Sequence, residues 1–157
     1  MAVVIPRAIQ LAVPLIQGFE GLELTAYQDT GGVWTCGYGQ TGPDVVEGTV
    51  WTAAYAWAEL WKSVQEVASQ VGALVTVPLT DHQMAALISF TYNVGRGAFA
   101  GSTLLREINA GNLADVPHQL GRWNQDDGKV LQDLVDRRNR EGQVWSTPDS
   151  DTVTGIV

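Results

Sequence analysis

Phe19-Glu-Gly-Leu-Glu-Leu-Thr-Ala-Tyr-Gln-Asp-Thr-Gly-Gly-Val-Trp-Thr-Cys-Gly-Tyr-Gly39 is the stretch in which this 157-residue chain changes its hydrophobic period. Before it, Leu11, Leu15 and Phe19 recur every four residues, which predicts a short helix over 7–18, stopped by Gly18 or soon after and interrupted by Pro14. Within it, the runs 24–28 and 33–38 are strand-like. The segment Asp29-Thr-Gly-Gly32 between them carries the glycines that a hairpin turn requires. After it, Gly37, Gly39, Gly42 and Pro43 mark a loop.

From Thr52 the helical period returns. Trp57, Leu60, Trp61, Val64, Val67, Ala68 and Val71 fall on one stripe, and Gly72 is a plausible stop. Thr80-Asp-His-Gln83 has the spacing of a capping box opening a helix whose buried face includes Met84, Leu87, Ile88 and Thr91. Gly95 and Gly97 break that helix, and Ser102 or Thr103 caps a short one through Leu104, Leu105 and Ile108, closed by Gly111. Two further helices are expected over 113–123 and 130–145, the second after the turn Asp126-Asp-Gly128. The fold class is therefore α+β, with a small β-hairpin lobe and a larger helical lobe joined by a long helix, and a ligand cleft between them. One domain is expected over 1–146, with 147–157 a frayed polar tail.

Composition narrows the function. Apolar residues make up 45% of the chain, enough for a core without disulfides or metal, and the single cysteine permits no internal bridge. Cys36 lies in an apolar strand with no histidine near it in sequence and reads as packing. The net charge of −8 argues against nucleic-acid binding. Positive charge is concentrated late: residues 1–80 hold two basic side chains (Arg7, Lys62), whereas 96–141 hold seven. The apolar stretch 2–16 contains Arg7 and two prolines, which argues against a membrane span or a cleaved leader, so any export must come from elsewhere. His82 and His118 lack the spacing of a metal pair and read as structural or surface residues.

Two carboxylates remain as candidates for chemistry. Glu20 stands where the helix gives way to the strands, partly walled by Phe19 and Leu22, a setting suited to a general acid. Asp29 stands at the hydrated hairpin turn, and Thr35 on the returning strand is placed to share a water with it. Two carboxylates in unlike surroundings beside one cleft are the minimum apparatus for glycoside hydrolysis. Spacing alone leaves capping and surface roles equally open.

The full string adds a resemblance. Glu20, Gly21, Leu24, Tyr27, Asp29, Gly32, Thr35, Gly37 and Gly39 meet every fixed position of E-G-x-x-L-x-x-Y-x-D-x-x-G-x-x-T-x-G-x-G, the catalytic segment of phage-type lysozymes, glycoside hydrolase family 24. Ser89-Phe-Thr-Tyr-Asn-Val-Gly-Arg-Gly-Ala-Phe99 and Ser102-Thr-Leu-Leu105 resemble a later endolysin segment, and Arg122-Trp-Asn124 and Arg137-Arg138 resemble its C-terminal helices. The likeness covers about residues 10–145 and implies a lysozyme-like fold.

It also implies an endolysin, an N-acetylmuramidase that cleaves the β-1,4 bond from N-acetylmuramic acid to N-acetylglucosamine in bacterial peptidoglycan, with inversion and with no metal or organic cofactor. Glu20 would be the acid, with Asp29 and Thr35 holding or activating the water. Gln40, Tyr92, Thr103 and Arg137 are the substrate-binding candidates, Arg137 serving either Glu20 or a substrate carboxylate; solvated surface for Arg137 and plain core for Tyr92 stay open. The implied setting is a monomer that collects in the host cytoplasm, does not insert stably in the membrane, and reaches the periplasmic wall through a holin-type lesion. A lytic transglycosylase and a non-catalytic peptidoglycan-binding module are the alternatives. Three positions depart from the family: Gln40 where His is common, Asp133 where Gly is common, and Asp136 where Arg is frequent. With the net charge of −8, they imply weaker attraction to anionic walls than basic relatives have.

Overall fold

The structure, a computed structural model, describes residues 6–149. Helix α1 spans Arg7–Glu20, β1 Glu23–Gln28, β2 Trp34–Gly37, and the long α2 Ala53–Leu74. There follow α3 (Asp81–Val94), α4 (Arg96–Ala100), α5 (Thr103–Asn109), a 3-10 turn (Leu113–Asp115), α6 (Val116–Gly121), the two-residue strands β3 (Gln125–Asp126) and β4 (Lys129–Val130), and α7 (Gln132–Trp145). The hairpin and the helical lobe are those expected from the sequence.

Helix α1 buries Ala8, Ile9, Ala12, Val13 and Ile16 and carries Pro14 on its exposed face. The apolar content of its sequence is thus used in packing. No helix among the described residues is long and apolar enough to cross a membrane. A first core layer sets α1 against Leu60 and Val64 of α2 and Ile88 of α3. A second gathers Phe90, Phe99, Leu104, Ile108, Leu120 and Trp145. Helix α2 reaches both, since Leu60 belongs to the first and Val71 to the second. Its 22 residues span roughly 33 Å at 1.5 Å per residue, enough to bridge hairpin and helical lobe. Helix α3 is the centre of the lobe, with every residue from Ala85 to Thr91 buried. Its capping box is complete: the Thr80 hydroxyl accepts from the Gln83 amide, and the Gln83 side chain accepts from the Thr80 amide.

Between α3 and α7 lies a buried polar network. The Ser89 hydroxyl donates to Glu141 Oε2 at 2.7 Å, and Arg138 donates to Asn93 Oδ1 at 2.8 Å. Arg138 Nε is 2.7 Å from Glu141 Oε1, an ion pair whose direct contact is poorly aligned for a hydrogen bond. Burial raises the Glu141 carboxyl to about 7, against the opposing pull of Arg138 and Ser89.

Four elements differ from the sequence expectation. Whereas α1 ends at Glu20, soon after Gly18 as expected, α2 runs two residues past Gly72. Residues 96–100 form a helical turn where a break was expected. The 113–123 segment is a 3-10 turn followed by a short helix. Asp126-Asp-Gly128 does not lead directly into a helix: Asp127 and Gly128 have φ of 50° and 76°, so a tight two-residue turn pairs Gln125 with Val130, and α7 starts only at Gln132. Of the polar tail, 150–157 lie outside the described residues; at its start Asp149 accepts hydrogen bonds from the Asp81 and His82 amides, closing the N-terminus of α3.

Candidate active site

Glu20 is the last residue of α1, at the seam between hairpin and helical lobe. Its side chain is 18% exposed, and Oε1 accepts a 2.8 Å hydrogen bond from Arg137 NH1. Arg137, 11% exposed, also donates from NH2 to the Phe19 carbonyl and from Nε to Asp133 Oδ2, and its guanidinium lies 5.3 Å from the centre of the Phe19 ring. Burial pulls the Arg137 guanidinium down, but the hydrogen bonds and charges of Glu20 and Asp133 outweigh it and hold it above its ordinary value. Glu20 Oε2 accepts no hydrogen bond from protein among the described residues. One oxygen is anchored and the other is free for chemistry.

The loop below that oxygen is built for close approach. Gly39 has φ +80°, and a Cβ there would stand 2.8 Å from Glu20 Oε2. Cys36 and Gln40 exchange two backbone hydrogen bonds that close the loop. The Gln40 side chain completes it from inside, accepting from the Tyr38 amide at 2.6 Å and donating to the Tyr92 hydroxyl at 3.1 Å. Tyr92 in turn donates to the Tyr38 carbonyl at 2.7 Å. Both ends of the Gln40 carboxamide are therefore consumed within the protein, and the residue is 8% exposed. The structure thus gives Gln40 a latching contact between the loop and α3. Burial, then the charge of Glu20, raises the Tyr92 phenol above its ordinary range.

Asp29 opens the hairpin turn, its Oδ1 accepting from the Gly31 and Val33 amides at 2.8 Å each. Its Oδ2 has no protein partner among the described residues. Thr35 pairs across the hairpin with Tyr27 and is buried, and its hydroxyl donates to the Val33 carbonyl at 3.0 Å. The Thr35 proton is thus committed while its oxygen can still accept. Burial first, then the charges of Glu20, Glu23 and Asp29, raise the Tyr27 phenol.

With this geometry in place, comparison with known proteins decides the family. Residues 17–141 match the Phage lysozyme family. The chain belongs to the phage lysozyme family. It is 40% identical to an endolysin of Bacillus phage B103 over 147 residues, 92% of this chain and 56% of that protein. It is 39% identical to a SAR-endolysin of Bacteriophage PS119 over 150 residues, 92% of this chain and 90% of that one. Among solved structures, the muramidase domain of SpmX from Asticaccaulis excentricus superposes with a TM-score of 0.81 at 37% identity, covering 87% of this chain and 95% of that one. The chain spans about half the length of the first curated relatives it matches, 56% and 54%.

Measured against this phage lysozyme frame, the structure brings Glu20 and Arg137 into direct contact and sets Tyr92 beside Glu20's loop. Thr103 stands apart: it begins α5, its hydroxyl accepts from Arg106, and it lines a separate 280 Å³ pocket with Gln119, Arg122 and Trp123. No hydrogen bond or ion pair among the described residues joins it to Glu20. A 370 Å³ depression lined in part by Asn93, Trp123, Asp126, Leu131 and Asp133 opens beside the Arg137 contacts. Sequence reasoning assigned no role to Tyr27, Gly39 or Asp133. The first two occupy fixed motif positions, which was the available signal; Asp133 had only its spacing of four from Arg137. Among the described residues no cluster of His, Cys, Asp and Glu is arranged to hold a metal ion.

Proposed function

We propose that this chain is an endolysin of the N-acetylmuramidase type, hydrolysing the β-1,4 bond between N-acetylmuramic acid and N-acetylglucosamine with inversion. The observation that carries the proposal is the divided Glu20 carboxylate, Oε1 held by Arg137 and Oε2 free against Gly39. Protonated Oε2 gives its proton to the glycosidic oxygen as the bond breaks and N-acetylglucosamine departs with a hydroxyl. Positive charge on the muramic ring is stabilised by Asp29. A water between Asp29 Oδ2 and the Thr35 oxygen meets two acceptors, so it donates both protons and turns a lone pair outward. Its oxygen bonds to the anomeric carbon from the opposite face, and its proton passes to Asp29. Family membership and a structural neighbour described as a muramidase domain support this reading.

The chain's setting is phage-driven lysis, by analogy with relatives described as endolysins. It acts on peptidoglycan as a monomer, leaving the cytoplasm for the wall. Release through a holin-type lesion has a rival, because several relatives are named SAR-endolysins, a name tied to a different release route. Lysis by the expressed chain with and without a co-expressed holin separates the two.

The rival chemistries are tested by digesting purified peptidoglycan in ¹⁸O-water and weighing the fragments. Hydrolysis leaves one heavy oxygen on each new muramic reducing end. Unlabelled fragments lighter by one water would identify a transglycosylase instead. Tight wall binding without fragments would identify a binding module.

A further inference from the structure

We propose that Asp133 is a positioning residue for Glu20, holding the Arg137 guanidinium in the orientation that presents NH1 to the acid and offsetting part of its charge. This rests on the reading of Glu20 as the catalytic acid. Arginine has a long, rotamer-rich side chain, and a single contact with Glu20 would leave its plane free to turn. Here the plane is fixed on three sides, by Glu20 at NH1 (2.8 Å), the Phe19 carbonyl at NH2 (3.3 Å) and Asp133 at Nε (3.1 Å). Among the described residues only Asp133 grips the Nε edge. It lies one turn before Arg137 in the first turn of α7, the order and spacing in which an acid and a base meet best on a helix.

Charge argues the same way. An unshared arginine favours the carboxylate form of its partner, whereas a general acid must hold a proton. Dividing Arg137 between two carboxylates weakens that bias. The groups facing Glu20 are Arg137 from α7, the Tyr27 phenol from β1 and the Tyr92 phenol from α3. Those acting on Arg137 are Glu20 and Asp133 by contact, and Arg138 and Glu141, paired to each other, by charge alone. Asp133 is thus the one acidic group besides Glu20 that touches this cation among the described residues. Its side chain is 68% exposed, so the pair adds little stability, and its effect is on orientation and field.

The test is hydrolysis of solubilised glycan strands across pH by wild type, Asp133→Asn, Asp133→Ala and Asp136→Asn, with melting temperatures. Asp136 is the control, an acid on the same helix whose carboxylate accepts from Gln132. Asp133→Ala is expected to lower kcat about tenfold with KM unchanged, the signature of a group acting only at the transition state. Asp133→Asn keeps an oxygen to accept from Nε and should recover most of that loss. Both should move the alkaline limb of the rate profile to lower pH, since both lose the offsetting charge. Asp136→Asn should do neither. Asp133→Ala matching wild type in kcat and profile, while Glu20→Gln is inactive, would overturn this proposal alone. Activity retained in Glu20→Gln would overturn the reading of the acid and the proposal with it.

Discussion

Gly39→Ala separates stability from catalysis at one atom. Its Cβ would stand 2.8 Å from Glu20 Oε2 and 3.4 Å from Cδ, with the backbone at φ +80°. The left-handed backbone costs an alanine about 1–2 kcal/mol. The clash itself is cheap in energy because it meets the end of a side chain, which can swing away by about half an ångström to reach ordinary contact. That swing is costly for function: it pulls Oε1 from its 2.8 Å bond with Arg137 and moves Oε2 from the reacting oxygen. A misplacement of about 1 Å costs roughly a hundredfold, so half of that is expected to lower kcat by about tenfold or more. For a chain of this size 1 kcal/mol moves the melting temperature by about 2–4 °C, giving a drop of about 2–8 °C. Gly111→Ala is the matched control, with φ +85° and nothing within 4 Å of the added methyl. Both variants should melt early by similar amounts in a thermal scan, and only Gly39→Ala should lose wall-clearing activity per folded molecule. Equal specific activities for the two would refute the steric argument.

Three further outcomes follow from the polar contacts. Above pH 7, where the Glu141 carboxyl is ionised, Glu141→Gln leaves Arg138 buried without its counter-ion and should cost about 3–5 kcal/mol in a denaturant titration, whereas activity of the folded fraction at saturating substrate should persist. The Glu141 carboxyl is raised to about 7 by burial, above its ordinary 4.5, so its contribution to stability is full below 4.5 and is lost as pH rises through 7. Wild type should therefore lose more melting temperature than Glu141→Gln between those limits, and parallel curves would contradict it. Tyr92→Phe removes the hydroxyl shared by Gln40 and the Tyr38 carbonyl and should cost about 1–3 kcal/mol, measured by chemical unfolding. Asp29→Asn can still accept from the Gly31 and Val33 amides, so it should lose most activity with little change in melting temperature.

Much of this was legible because short-range rules carried it. Thr80 and Gln83 close a capping box, which is set by a spacing of three. The hairpin followed from two strand-like runs around the Asp29–Gly32 turn, and the long helix from the stripe through Leu60 and Val64. What stayed hidden depends on which way a side chain turns. Gln40 reads as polar and near the motif; nothing local says that its carboxamide bonds Tyr38 and Tyr92, the latter 52 residues away. Arg137 could be matched to Glu20 only by resemblance, since 117 residues separate them. Asp127-Gly128 had the composition of a tight hairpin turn but lacked alternating apolar flanks, and its strands are two residues each. The ionic contact of Glu141 with Arg138 had the spacing of a surface pair, and only the packing of α3 on α7 buries it.

The most direct test of the central claim is the initial rate of peptidoglycan hydrolysis by wild type and Glu20→Gln, each shown folded by its melting temperature. Wild-type release of reducing ends, lost by at least a hundredfold in a Glu20→Gln protein that melts normally, is the result predicted for a catalytic acid. Undiminished release by the folded variant would contradict it.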